Sequence, residues 1–391
     1  MKKISNLLIL ALLTIGMGLT SCDEMLDNAV DPGVMPDVEV TSIALNATSQ
    51  VLNVDDYFAL TATVEPADAD YEKIIWSSSD ETIATVDETG IIHAVAEGNA
   101  IITAQAGNMK ATCDILVQDV YDDKQYKEAT WDATNSKVVF KKKSVESVAL
   151  IDNDFSGSIT SGWYSVTGDN VIINNNVTLT GDLHLILCDG AKLTINGQLD
   201  CGSSGNLYIY GQKKGDGKLN VTNSSGIAII SNSDLHIDIH GGEVTAEATG
   251  NFITGLDAGY LAVYGGKLTA TSGGSHGIVF GNTIDVYGGE VVATSNATSS
   301  VVPYYGIECA SASTSEILTV YGGKVKATGN GVSDTSSNYG SGFLCYVKSG
   351  TSDIKFYFSA DGTTWGDGTS YDSATKVGTD DATKKRYAKA E

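Results

Sequence analysis

One stretch limits what this chain can become: residues 206–328 repeat themselves. The segments LYIYGQKKGDGKLNVT, HIDIHGGEVTAEA, LAVYGGKLTAT, IDVYGGEVVATS and LTVYGGKVKATG follow one another. The first glycines of the Gly-Gly pairs fall at Gly241, Gly265, Gly288 and Gly322, which are 24, 23 and 34 residues apart. A period in that range describes a solenoid, in which each unit buries its apolar face on its neighbours. Within a unit apolar and polar residues alternate over short runs, the period of a strand. Around Gly265 the three strands read Leu261–Tyr264, Lys267–Thr271 and Gly277–Phe280, with glycine at the corners where a Cβ has no room.

Stacked coils place like residues in columns, and the aligned segments do so. Leu207, Ile237, Leu261, Ile284 and Leu318 form one apolar column, and Ile209, Ile239, Val263, Val286 and Val320 a second. On the next strand Leu219, Val244, Leu268, Val291 and Val325 form a third, followed two residues on by Val221, Ala246, Ala270, Ala293 and Ala327. All four are expected to face the lumen. Outward, Lys218, Glu243, Lys267, Glu290 and Lys324 alternate in sign from coil to coil, and Tyr210, His240, Tyr264, Tyr287 and Tyr321 form an aromatic ladder. Opposite charges in register favour stacking by about 0.2–1 kcal/mol per exposed pair.

The flanks differ. Lys2 and Lys3 precede an apolar run from Leu7 to Leu19, closed by Leu19-Thr20-Ser21-Cys22. This is similar to a bacterial lipobox, which implies a signal peptide over residues 1–21, cleavage before Cys22 and lipid on that cysteine. The apolar run is too short to span a bilayer as a helix. Asp23 and Glu24 resemble the acidic export signal of surface lipoproteins in Bacteroidetes, which implies an outer-membrane, outward-facing location. Residues 22–37, with Asp31-Pro32-Gly33 and Met35-Pro36, read as a tether.

Residues 38–118 carry short alternating runs broken by turns, the pattern of a small β-sandwich anchored by Trp76. They resemble the group 2 bacterial immunoglobulin-like domain. The matching residues are Ile43 and Leu45, Pro66, Trp76-Ser77-Ser78-Ser79-Asp80, Ile83-Ala84-Thr85-Val86-Asp87, Gly90, and Gly98 before Ala100-Ile101-Ile102-Thr103-Ala104. The resemblance implies a spacer or adhesion module. Residues 119–160 read as a segment capping the first coil, 161–345 as the β-helix and 346–391 as a C-terminal cap. From Ser161 to Phe343 the chain resembles β-helical surface proteins of gut bacteria, some of them carbohydrate-binding. The expected fold is therefore all-β: an Ig-like sandwich followed by a right-handed three-sheet parallel β-helix of the pectate-lyase-like kind.

Charge narrows the partners. The whole chain carries −24; without Lys2 and Lys3, 22 basic residues face 48 acidic ones, a charge of −26. Such a surface repels nucleic acid and anionic lipid, so the expected membrane attachment is the lipid alone. No cofactor is expected beyond weak surface gathering of Ca2+. Cys113, Cys188, Cys201, Cys309 and Cys345 are odd in number without metal spacing, which argues for small buried residues and against a disulfide framework.

Catalysis finds little support. The only arginine is Arg386, outside the repeats, whereas a polysaccharide lyase must neutralise a uronate. A hydrolase needs two carboxylates about the scissile bond. The acids here are Asp238 and Asp285 with Ala262 between them, and Glu243 and Glu290 with Lys267 between them. His236, Asp238 and His240 project from one strand face, a metal-ligand pattern weighed against a plain polar face. The sharper hypothesis is non-catalytic glycan binding or adhesion at the surface of a host or bacterium. Tyr210, His240, Tyr264, Tyr287 and Tyr321 would stack on sugar rings while Asp238 and Asp285 take hydroxyl hydrogen bonds. Aromatics in a column also stabilise a wall by stacking on each other. A polysaccharide lyase or hydrolase and a passive stalk are the rivals. In the 34-residue unit, the added residues with Pro303-Tyr304-Tyr305 read as a protruding recognition loop.

Overall fold

The structure, a computed structural model, describes residues 37–298, 304–310 and 317–329 except positions 72, 154 and 156, and then 343–351, 354, 356–359, 370, 375–377 and 387–390. The signal peptide, Cys22, nearly all of the tether, Pro303 and much of the C-terminal segment lie outside the described residues. Two units result, one up to Asp119 and one from Val120. Every regular element among the described residues is a strand.

The first unit is a sandwich. Strands Ser49–Asn53, Met109–Gln118, Gly98–Ala106 and Ile75–Ser78 form one sheet, Tyr57–Ala59, Ile91–Ala94 and Ala84–Val86 a second, and Ser42–Leu45 pairs with Ala62–Glu65 beside them. Leu52, Leu60, Ile92, Ile102, Cys113, Ile115 and Val117 fill the space between, and Trp76 packs against them half-buried. Gly90 sits at φ +84°, and a Cβ there would lie 2.3 Å from the Leu60 carbonyl oxygen and 2.8 Å from the Trp76 ring. That corner admits only glycine.

From Gly162 onward the chain visits three walls in rotation. The first wall holds Gly162–Val166, Leu183–Leu187, Leu207–Gly211 and His236–Ile239. The second holds Val171–Ile173, Lys192–Asn196, Lys218–Asn223, Glu243–Ala248, Lys267–Ser272, Glu290–Ser295 and Lys324–Thr328. The third holds Val177–Leu179, Leu199–Asp200 and Ile229–Ile230. Successive rungs pair in parallel. In later coils Leu256–Val263 and Ile278–Val286 run through the corner between third and first walls as single strands. Those two walls therefore share one 17-stranded sheet, and the second wall belongs to a separate nine-stranded one.

The columns read from the repeats are real. Ile209, Ile239, Val263, Val286 and Val320 pair in register, and each is 0% exposed. On the second wall Val221, Ala246, Ala270, Ala293 and Ala327 do likewise. Lys218 meets Glu243 at 2.7 Å and Lys267 meets Glu290 at 2.9 Å, although Lys192 lies against Lys218 at the lower end. The second glycine of each pair makes the turn: Gly242, Gly266, Gly289 and Gly323 all have φ between +72° and +80°. A Cβ on Gly266 would also lie 2.2 Å from the Gly242 carbonyl oxygen. Left-handed backbone costs an L-residue about 1–2 kcal/mol and overpacking about 1–3. Gly266→Ala is therefore expected to lower stability by about 2–4 kcal/mol, read as a fall in urea midpoint with the slope unchanged.

The segment expected to cap the first coil divides in two. Ala149–Leu150 and Ser158–Ile159 pair in parallel with Gly162–Val166 and Val177–Leu179, so they form the lowest rung. Gln125–Asp132 and Lys137–Ser144 instead form an antiparallel hairpin, whose only pairing with the walls among the described residues is Lys127 with Gly211. It lies along the outside of the first wall, where Tyr126, Trp131, Val138 and Phe140 meet wall residues. At the far end Tyr387–Ala390 pairs antiparallel with Lys324–Thr328 and Phe356–Ser359, which ends the parallel stacking.

Candidate functional site

Three outward columns cross the first wall. The aromatic ladder occupies the one beside the Gly-Gly corner, with Tyr210, His240, Tyr264, Tyr287 and Tyr321 on successive rungs. Ring centroids follow at 4.8, 5.0, 4.7 and 4.5 Å, with interplanar angles of 12°, 4°, 8° and 13°. Each ring face thus lies on a neighbouring ring.

The hairpin lies over the ladder. Tyr126 packs on Tyr210 and Trp163, with centroids at 4.5 and 4.8 Å, and Trp131 sits 5.5 Å from both Tyr287 and Tyr321. His240 Nδ1 donates to the Ala129 carbonyl at 2.8 Å, which assigns the proton to that nitrogen. Beneath the hairpin the first glycines of two pairs matter: a Cβ on Gly265 or Gly288 would come within 3.0 Å of Phe140 or Val138. Burial drives the Tyr264 hydroxyl up to about 12 and raises those of Tyr210, Tyr287 and Tyr321, while it lowers His240. The expectation that these five rings present their faces to sugar is not met. Their faces are spent on each other, and the hairpin adds a cover that repeat periodicity does not report.

The middle column remains the wall's open feature. It runs Trp163, His184, Tyr208, Asp238, Ala262, Asp285 and Thr319. The lower three rings stack, Trp163 to His184 at 4.4 Å and His184 to Tyr208 at 4.5 Å. Above them the chemistry changes from aromatic to carboxylate. Ala262 is the smallest side chain in this column, with Asp238 and Asp285 on the rungs on either side and Tyr260 and Tyr264 along its own strand. Asp285 Oδ2 accepts from Thr283 Oγ1 at 3.1 Å. Asp238 Oδ1 is sealed from solvent and has no hydrogen-bond partner. Desolvation pushes the Asp238 carboxyl up to about 6, opposed by His236 and helped by Asp285, and burial raises Asp285 as well.

The third column begins with His236, stacked on Tyr260 at 4.5 Å and 5°. Its ring is therefore engaged, as is that of His240. Among the described residues no three His, Cys, Asp or Glu side chains are placed to hold a metal ion.

One pair escaped the sequence reading. His276 Nδ1 accepts from the Tyr305 amide at 2.9 Å, and its Nε2 meets Glu308 at 2.7 Å. This clamps the start of the long coil. Tyr304 and Tyr305, expected to protrude, are only 8% and 6% exposed. The histidine draws both back onto the wall. His276 and Tyr305 are 29 residues apart, a separation that matches no spacing of the glycine pairs, so the repeats give no signal for the contact.

Comparison with known proteins adds context. An α-L-arabinofuranosidase of Bifidobacterium longum is 29% identical over 189 residues, 43% of this chain and 17% of that protein. A kappa-carrageenase of Pseudoalteromonas carrageenovora is 38% identical over 71 residues, 18% of each chain. A polysaccharide lyase 8 family protein of Enterococcus faecalis is 42% identical over 76 residues, 18% of this chain and 6% of that one. The chain thus spans less than a fifth of the length of each of these three. Among solved structures, domains 4 and 5 of the S-layer protein SbsC align at 19% identity over 20% of this chain and 51% of that one, with a TM-score of 0.18. Residues 39–115 match the bacterial Ig-like domain (group 2) family, and that segment is such a domain.

Proposed function

We propose that this is a non-catalytic carbohydrate-binding protein of a bacterial cell surface, held by lipid on Cys22, spaced by the Ig-like domain and binding through the first wall. The observation carrying the reading is the unpartnered Asp238 carboxylate in the Asp238–Ala262–Asp285 column. Asp238 carries a desolvated carboxylate oxygen without a donor one rung from Ala262, with the hydrogen-bonded carboxylate of Asp285 on the rung beyond and Tyr260 and Tyr264 on Ala262's own strand. Sugar hydroxyls supply donors to such oxygens, and ring edges shelter the C–H surface between them. The matched relatives include enzymes named for arabinofuranoside and carrageenan, which supports a carbohydrate setting.

The test is a glycan array probed with protein lacking residues 1–22, compared with Asp238→Asn and Asp285→Asn. Loss of at least tenfold in affinity with an unchanged fold is the expected outcome. An array on which no glycan loses binding in either variant, or no bound glycan at all, removes the reading. For the anchor, the wild type should incorporate labelled palmitate and partition with membranes, and Cys22→Ala should do neither.

A hydrolytic reading has the Asp238 carboxyl in its favour and the carboxylate spacing against it. Two rungs separate Asp238 from Asp285, about 10 Å at a rung spacing near 4.8 Å, just beyond the roughly 6.5–9.5 Å of inverting pairs. Asp238 is also held protonated up to about pH 6. Release of reducing ends that disappears in Asp238→Asn would favour it over binding alone.

A further inference from the structure

The corner between the second and third walls changes width abruptly. Between Asn196 and Leu199 it takes two residues. On the next rung, between the paired positions Thr222 and Ile229, it takes six, and between Glu247 and Leu256 it takes eight. The step from narrow to wide leaves a recess of about 550 Å³, within the roughly 300–1,000 Å³ of small-ligand sites.

Its lining is chemically uniform. Every lining residue is asparagine, serine, threonine or glycine, with no charge and no apolar side chain. The narrow rungs brace it: Asn196 Nδ2 donates to Asn174 Oδ1 at 2.8 Å, and Asn176 Oδ1 accepts from the Gln198 amide at 2.9 Å. Asn174 Nδ2, Asn196 Oδ1 and the exposed side chains of Asn175 and Ser224 remain to meet a ligand. The recess therefore offers both donors and acceptors, which suits hydroxyl groups that do both.

The next rung bears on its lip. A Cβ on Gly250 would lie 2.4 Å from the Ser224 carbonyl oxygen, so the eight-residue corner sits directly on the six-residue one. That corner carries Phe252, 79% exposed and at φ +59°. A bulky residue in left-handed backbone is uncommon, and one with its ring in water gains nothing from burial to offset the strain. Phe252 does not line the recess itself, but the corner that carries it bears on Ser224 at the recess edge, so an apolar plane for a sugar's C–H face stands one rung from polar groups for its hydroxyls.

We propose that this corner, built on Asn174, Asn175, Asn196, Ser224 and Phe252, is a separate carbohydrate site that selects uncharged pyranose units over uronates. It does not rest on the first-wall column, which uses other residues on another face. With no lysine or arginine in the lining, a carboxylate-bearing sugar would lose hydration without gaining a cation.

The test titrates the protein lacking residues 1–22 with cellohexaose, xylohexaose, mannohexaose and hexagalacturonate, by calorimetry and saturation-transfer NMR. At least one neutral hexaose should bind, hexagalacturonate should bind at least tenfold more weakly, and Phe252→Gly and Asn175→Ala should each cut neutral binding at least tenfold. Phe252→Gly relieves the backbone, so its melting temperature should not fall and misfolding cannot imitate the result. Asp238→Asn should leave this binding unchanged. No binding of any neutral hexaose, preference for hexagalacturonate, or binding insensitive to Phe252→Gly overturns the proposal. Binding abolished by Asp238→Asn alone assigns the sugar to the first wall instead.

Discussion

Trp131→Ala is expected to lower the stability of the solenoid by about 3 kcal/mol, the lower end of what truncating a large aromatic costs in a core. The ring sits 5.5 Å from both Tyr287 and Tyr321 and is half-buried, so part of the full cost is spared. The loss should spread because the hairpin is attached mainly by side chains. Among the described residues its single backbone pairing with the walls is Lys127 with Gly211; beyond that come the Lys127 Nζ bond to the Lys213 carbonyl at 2.7 Å, the Gln212 bond to the Gln125 carbonyl at 2.8 Å and the His240 bond to Ala129. Hydrogen exchange should therefore quicken along residues 125–144 and at the amides of Tyr287 and Tyr321. Lys141→Ala, on an exposed hairpin residue, serves as control and should stay within about 0.5 kcal/mol of wild type. If Trp131→Ala matched that control, the hairpin would be an ornament on the wall and the ladder would carry itself.

Much of this architecture was legible because a solenoid writes its contacts at a fixed spacing. Val263 tells where Val286 will be, and Lys267 where Glu290 will be, since a partner one coil away is also one period away. The hairpin broke that rule. Tyr126 contacts Tyr210 and Trp131 contacts Tyr321, separations that belong to no repeat, so from sequence a polar, strand-forming segment beside the first coil looks like its lid. The signal that was available lay in the first glycine of each pair. Only the second glycine has left-handed φ, so Gly265 and Gly288 needed another reason to lack a side chain, and Phe140 and Val138 are part of it. The acids were found in the right column, yet their solvation was not, because burial depends on Tyr260, Tyr264 and neighbouring coils together. The corner recess was invisible for a related reason: it arises from a mismatch of loop lengths between rungs, and alignment by glycines discards such mismatches.

Asp238→Asn should stabilise the protein at neutral pH while it weakens glycan binding. The Asp238 carboxyl titrates near 6 in the folded chain against 3.8 as reference, a gap worth about 2–3 kcal/mol. Between those values the folded state holds a proton that the unfolded state has released, so stability falls as pH rises through the window and stays reduced above it. Below about pH 4 both states are protonated and the penalty vanishes. Wild type and Asp238→Asn should accordingly unfold alike at about pH 3.5, diverge from about pH 4 to 6, and differ by a constant amount from about pH 7 upward, measured as urea midpoints at each pH. Asp285→Asn should move the same way with a smaller amplitude, since Thr283 already donates to that carboxylate. A gap that ignores pH, or an Asp238→Asn variant less stable than wild type at neutral pH, would mean the oxygen has a donor in solution. A carboxylate kept at such cost in the wall is the pattern of a residue retained for a ligand, stability being given up where binding requires it. Adding the bound glycan should then close the gap: ligand binding to the folded wild type alone stabilises it by RT ln(1 + [L]/Kd), about 2.7 kcal/mol at a hundredfold excess over Kd, and leaves Asp238→Asn where it was.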